Sequence, residues 1–187
     1  MTILTTSIPD AIDAVIALAR ALNLTVGGDP LEVFDGWPGP QAPDNFMQVG
    51  GIDQTAASGT QEWMSLGSTN GIAPARDENY TIKCGVFCFV GGGDADASST
   101  TDDAQKTARD NAFTIVRAFE TGLRENPKLA SATAGDGLIS GGLGTGWVAF
   151  GGQIELQQTD PTNPRAGMGR EAVVVFEVGI FKRLYSN

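Results

Sequence analysis

From Glu171 to Leu184 apolar and polar side chains alternate almost without a break. That two-residue period is what a strand imposes. Ala172, Val174, Phe176, Val178 and Ile180 fall on one face, and Glu171, Val173, Val175, Glu177, Phe181 and Arg183 on the other. At about 3.3 Å per residue the strand would be about 45 Å long. Strands in small domains usually run roughly 3–10 residues. The expectation is that one compact sheet does not cover this strand, and that part of it projects to meet another molecule.

The remaining signals place this strand in an α+β fold, a mainly antiparallel β-sheet packed by two principal α-helices, within one domain spanning residues 1–187. Ser7 with Pro9 and Asp10 reads as a helix start. Ile8, Ile12, Val15, Ile16, Ala19 and Leu22 then recur at helical spacing to about Asn23, where Gly27 and Gly28 are expected to end the helix. Short strands follow at Leu31 to Phe34, Phe46 to Val49 and Gln61 to Leu66. Tyr80, Ile82, Cys84, Val86, Cys88 and Val90 share a face of a core strand, with Phe87 and Phe89 pointing the other way. The second helix is capped by Thr100 or Thr101 and carries the stripe Ala104, Ala108, Ala112, Ile115, Val116, Phe119 and Leu123 until Pro127 blocks it. Its small residues come first, so its N-terminal half can lie close to a sheet. A strand from Trp147 toward Gln157 is expected to bulge at Gly151-Gly152, and Gln158 to Gly169 reads as a polar loop.

Composition narrows the chemistry. The net charge of −10, with 12 basic residues, argues against general nucleic-acid binding, which needs clustered Lys and Arg. No apolar run approaches the roughly 18 residues of a membrane span, and no basic-then-apolar leader opens the chain. There is no histidine, which removes Ser-His and Cys-His pairs and imidazole metal ligands. Cys84 and Cys88, four apart on a strand, are about 13 Å from each other, beyond disulfide reach, and read as buried free thiols. Gly91-Gly92-Gly93-Asp94 lacks the Gly-Lys-Ser/Thr of a phosphate loop. The acidic run Asp94, Asp96 has Ser99 and Gln105 where a calcium loop needs Gly and Glu. Gly142, Gly144 and Gly146 lead into a strand, the wrong context for a dinucleotide site. Glu155 and Glu177 are conceivable paired carboxylates but read first as surface charge. No enzyme activity, metal or cofactor is expected.

Among the tryptophans Trp63 and Trp147 read as core or loop anchors, while Trp37, in the turn Asp35-Gly36-Trp37-Pro38-Gly39-Pro40, is the best candidate for exposure. Arg165, Arg170, Lys182 and Arg183 concentrate positive charge near the last hairpin, either to orient subunit packing or to protect an edge from unwanted pairing.

The order of elements and several local patterns resemble the tail terminator proteins of long, non-contractile-tailed (siphovirus-type) bacteriophages, particularly those infecting actinobacteria. The resemblance is carried by the first helix, Val33 to Pro38, the Val49-Gly50 strand end, and Asp77 to Tyr80 leading into the alternating strand. It continues through the alanine-striped helix with Asn126 to Leu129, and the final Val173 to Val178 strand closed by Phe181 to Leu184. The resemblance implies a structural virion protein without catalytic residues, assembled in the bacterial cytoplasm. Its homohexameric ring would sit on the head-proximal end of the tail tube, stop tube polymerisation and present a surface to neck or head-completion proteins. DNA would pass through its channel without specific binding.

A ring needs two unlike surfaces per subunit. The long last hairpin and the Trp37 turn are the expected ones, with Trp37, Arg165, Arg170, Phe181 and Arg183 as interface residues. The alternatives are a neck, head-completion or tail-tube protein. From a different class comes a carboxylate-dependent hydrolase or carbohydrate-binding module using Trp37, Trp63 or Trp147.

Overall fold

In the computed structural model, described for residues 6–52, 55–64, 75–91, 100–127, 129, 146–158 and 169–185, the periodicity that opens the chain folds as helix α1 (Ile8–Ala21). It buries Ala11, Val15, Ile16 and Ala19. A hairpin follows, β1 (Thr25–Val26) and β2 (Asp29–Pro30), and then β3 (Glu32–Asp35), β4 (Asn45–Val49), β5 (Ala57–Met64) and β6 (Ala75–Gly91). Helix α2 (Thr100–Glu125) leads to β7 (Gly146–Gln158) and β8 (Gly169–Tyr185). The main sheet runs β3-β4-β6-β8-β7, with β5 on the same edge of β6 as β4 but farther along it. Only β3 and β4 pair in parallel among its strands. The result is the expected α+β arrangement, two helices on a mostly antiparallel sheet.

The long terminal strand does not project. β8 pairs with β6 without a register shift from Gly169↔Gly91 to Tyr185↔Ala75. The alternation beginning at Tyr80 understates β6, which starts at Ala75. The residues that hid its beginning are polar: Arg76 and Glu78 sit on the helix-facing side, 8% and 0% exposed. Their charges are accommodated by pairing, with Arg76 Nη2 donating to Glu78 Oε1 at 2.8 Å, and Lys182, also buried, is Glu78's register partner on β8. β8 is therefore central, lying between β6 and β7 over Ala172–Lys182.

Ser7 flanks α1 at the N-cap position but does not cap it through its side chain. Its Oγ donates to Glu78 Oε2 at 2.5 Å and lies 2.9 Å from the Tyr80 hydroxyl, and its backbone N–H donates to the same carboxylate at 2.8 Å. A charge-assisted bond to a buried carboxylate outcompetes the local cap and places negative charge at the positive end of the helix. Gly27 and Gly28 likewise do not end α1. Asn23, at φ +46°, follows its last turn, and the two glycines make the positive-φ turn of the β1-β2 hairpin.

Both helices lie on one side of the sheet. α2 packs across β8 and β6 and reaches β7, while α1 covers β3 and β4. Ala108 and Ala112 are fully buried, which lets the first half of α2 approach the strands closely, as its composition suggests. Phe119 then fills the larger space, with its ring 5.6 Å from that of Phe176, which is itself 5.1 Å from Phe150. At the helix crossing a Cβ on Gly122 would stand 3.0 Å from Leu22 Cδ2, so the absent side chain sets the approach of α1 and α2. From the sheet, Tyr80, Ile82, Cys84, Val86, Cys88, Ala172, Val174, Phe176, Val178 and Ile180 all face this core and are nearly inaccessible.

Candidate functional site

The other side of the sheet has no helix on it among the described residues. Here alternation brings up Lys83, Gly85, Phe87, Val173, Val175 and Glu177, the odd-numbered set that a sealed sheet would also bury. They are instead half-exposed, apart from Gly85. Among the described residues this face is covered in part by Ile52, which lies close over Gly85, and by the turn after β3. Phe46 and its register partner Phe87 stack with ring centroids 4.5 Å apart and planes 6° from parallel. Trp37 meets both edge-on, at 6.1 and 5.9 Å. Phe34 extends the cluster, 5.9 Å from Phe46. Positive φ at Gly36 (+72°) and Gly39 (+90°) folds the turn back over the sheet, and the buried Gln48 amide donates to Gly50 O at 2.9 Å, fixing the adjoining loop.

Trp37 anchors the cluster with one edge and still leaves 61% of its surface in solvent. It overlooks a shallow concavity of about 490 Å³ between the loops and β7, lined also by Gln48, Lys83, Phe87, Glu155, Gln157 and Glu177. Glu155 stands opposite Val175 in register, which makes it the diagonal neighbour of Glu177, roughly 7–8 Å away. The two carboxylates are thus brought together, with Lys83 opposite Glu177 on β6. A second feature adjoins this groove. β7 is an outer strand, and its register shifts between Gly151 and Glu155, at the predicted bulge. It carries Ile154 and Leu156 at 50% and 38% exposure, the other two large hydrophobics in solvent among the described residues.

The sequence-predicted interface residues do not form one surface. Arg165 lies outside the described residues, as do the glycine-rich stretch before Gly146, most of the acidic loop before α2, and the loop between β7 and β8. Arg170 is opposite Val90 at one end of β8, whereas Phe181 and Arg183 lie at the other, about 36 and about 43 Å away at strand rise. Arg183 Nε and Nη2 make paired 2.6 Å contacts with Asp77 Oδ1 and Oδ2 on the adjacent strand. That hydrogen bond holds the Asp77 carboxyl below its usual pKa. Of the four that are described, only Trp37 sits in the groove. The side chains of Trp63 and Trp147 lie outside the description. What sequence reasoning missed was the floor beneath Trp37: Phe46, Phe87 and Gln48 read as ordinary strand residues, and only the pairing β3-β4-β6 gathers them.

Elsewhere the titratable groups serve the core. Burial pushes the Cys84 and Cys88 thiols up to about 12, and the Tyr80 hydroxyl likewise to about 12 against the opposing effect of its hydrogen bond with Ser7. Cys84 and Cys88 are free and buried, as their spacing suggests. Among the described residues no three His, Cys, Asp or Glu side chains gather as a metal site, and no helix is long and apolar enough to cross a membrane. Comparison with models of known protein families gave no match, and comparison with curated proteins gave none either.

Proposed function

We propose that the chain is the subunit of a ring that closes the head-proximal end of a siphovirus-type tail tube, halting tube growth and offering a surface to neck proteins. The resemblance in sequence supplies the class. The observation that carries the reading is the two-sidedness of the sheet: helices cover one face, while the other presents an exposed indole over a groove bordered by Glu155 and Gln157 of the outer strand β7. A subunit that meets its neighbours through unlike surfaces has this form. Its proposed location is the top of the tail in the virion, with tail-tube and neck proteins as partners and DNA passing through without specific contacts.

The test is negative-stain electron microscopy of lysates from a phage with a stop codon early in this gene. Overlong headless tails are expected. Tails of normal length that fail to join heads would move the assignment to a neck or head-completion role, and normal infectious particles would end both. Long tubes formed by the purified chain alone would point to a tail-tube subunit.

One observation favours a second reading. Trp37 shares its concavity with Gln48, Gln157, Glu155 and Glu177, the aromatic and planar polar groups that recognise sugars. Sugar-dependent quenching of tryptophan fluorescence that is lost in Trp37→Ala would support a carbohydrate-binding module.

A further inference from the structure

On the helix layer, opposite the groove, α2 presents a notch formed by Arg109, Asp110, Phe113, Thr114 and Arg117. Arg109 and Arg117 are two turns apart, about 12 Å along the axis, with Phe113 midway between them. Phe113 is half-buried, so its ring forms a floor instead of a knob. The guanidinium of Arg109 has only a weak contact with Asp110, at 3.4 Å, and Arg117 has no side-chain partner among the described residues. Two arginines and one aspartate thus border an aromatic floor.

The groove is the counterpart. It offers two glutamates and one lysine around a protruding indole, so each surface carries the charge excess that the other lacks. Trp and Arg are the side chains most often dominant at protein contacts, and an arginine beside an indole face gains a cation–π interaction. We infer that the groove around Trp37 receives the α2 notch of a second copy of this chain, with Trp37 seated over Phe113 between Arg109 and Arg117, and Glu155 and Glu177 facing the arginines. Both surfaces belong to every copy and lie on opposite sides of one sheet. The contact is therefore head-to-tail and repeats in one sense, forming a ring where the rotation between copies closes. This rests on the ring reading above and names its interface.

Two double variants test it. Arg109→Glu with Arg117→Glu reverses the notch, and Glu155→Arg with Glu177→Arg reverses the groove. None of these positions belongs to the buried core, and thermal melts establish that each variant folds. In sedimentation velocity the wild type is expected to be oligomeric. Each double variant alone should self-associate roughly tenfold or more weakly. Mixing the two at equal concentration should restore assembly, because alternating copies present one wild-type and one swapped contact, both of opposite charge.

Folded variants that each assemble like the wild type would overturn the inference. So would a mixture that stays monomeric, or a wild type monomeric at its highest soluble concentration. Failure here with overlong tails in the stop-codon phage would leave the terminator reading standing with another interface. Rescue by mixing alongside normal tails would keep the self-contact and remove the terminator role.

Discussion

The two sides of one sheet obey different rules. On the helix side every second residue of β6 and β8, from Tyr80 to Cys88 and from Ala172 to Ile180, is apolar and inaccessible. On the open side the same strands alternate Lys83, Gly85, Phe87 and Val173, Val175, Glu177, neither polar enough for a plain solvated face nor apolar enough for a second core. The first side is what folding demands. The second is what a surface kept for a partner looks like: an aromatic anchor, a partly apolar floor and a charged rim.

This contrast breaks most sharply in the core. Phe176→Ala, which removes a ring held between Phe119 and Phe150, should destabilise the fold by about 3–5 kcal/mol, read as a lower urea midpoint. A loss below about 1 kcal/mol would mean that the helix side is not the stabilising one. Next comes Glu78→Ala, which leaves buried Arg76 without that carboxylate and frees the Ser7 N–H. About 3 kcal/mol is expected, with amide exchange accelerating first in the opening turn of α1. Trp37→Ala should leave the urea midpoint within about 1 kcal/mol of the wild type while abolishing self-association, the reverse of Phe176→Ala.

How far each side was legible follows from its chemistry. The apolar alternation of β8 and the alanine stripe of α2 predict their own faces, because burial selects residues one position at a time. Arg76 and Glu78 broke that logic, being polar residues whose inward placement depends on each other and on elements distant in sequence, so the true length of β6 was hidden and β8 was expected to project. Ser7 misled in the same way: its side chain suits a local cap, but a carboxylate 71 residues away takes the bond. The site was less legible still. Trp37 stood out through its proline-rich turn and Glu155 with Glu177 as conceivable paired carboxylates, whereas Phe46 and Phe87 become neighbours only when β4 and β6 pair. Arg170 and Arg183, close in sequence, are held far apart by the straightness of the strand.

Smaller effects sharpen the comparison through pH. Cys84, Cys88 and Tyr80 have folded pKa values raised above their unfolded ones, so the folded state retains protons that the unfolded chain releases. Stability is expected to fall as pH rises from about 9 toward 12, with thiol reagents reacting only upon unfolding. A native chain that labels rapidly at pH 8 would contradict the burial of both thiols. Asp77 runs the other way: its depressed pKa adds stability that is complete above the unfolded carboxylate range and is lost as pH falls through the folded value. Since Asp77 and Arg183 are part-exposed, Asp77→Asn should cost less than about 1 kcal/mol at neutral pH and less again in high salt.

The most direct test of the division between a folding side and an assembling side is native mass spectrometry of the wild type and Trp37→Ala at equal concentration, with melting temperatures measured alongside. The account predicts closed rings, six copies by the proposed class, for the wild type and monomers of unchanged melting temperature for Trp37→Ala. Rings of the same size from both proteins, or a Trp37→Ala chain that loses its fold together with its assembly, would contradict it.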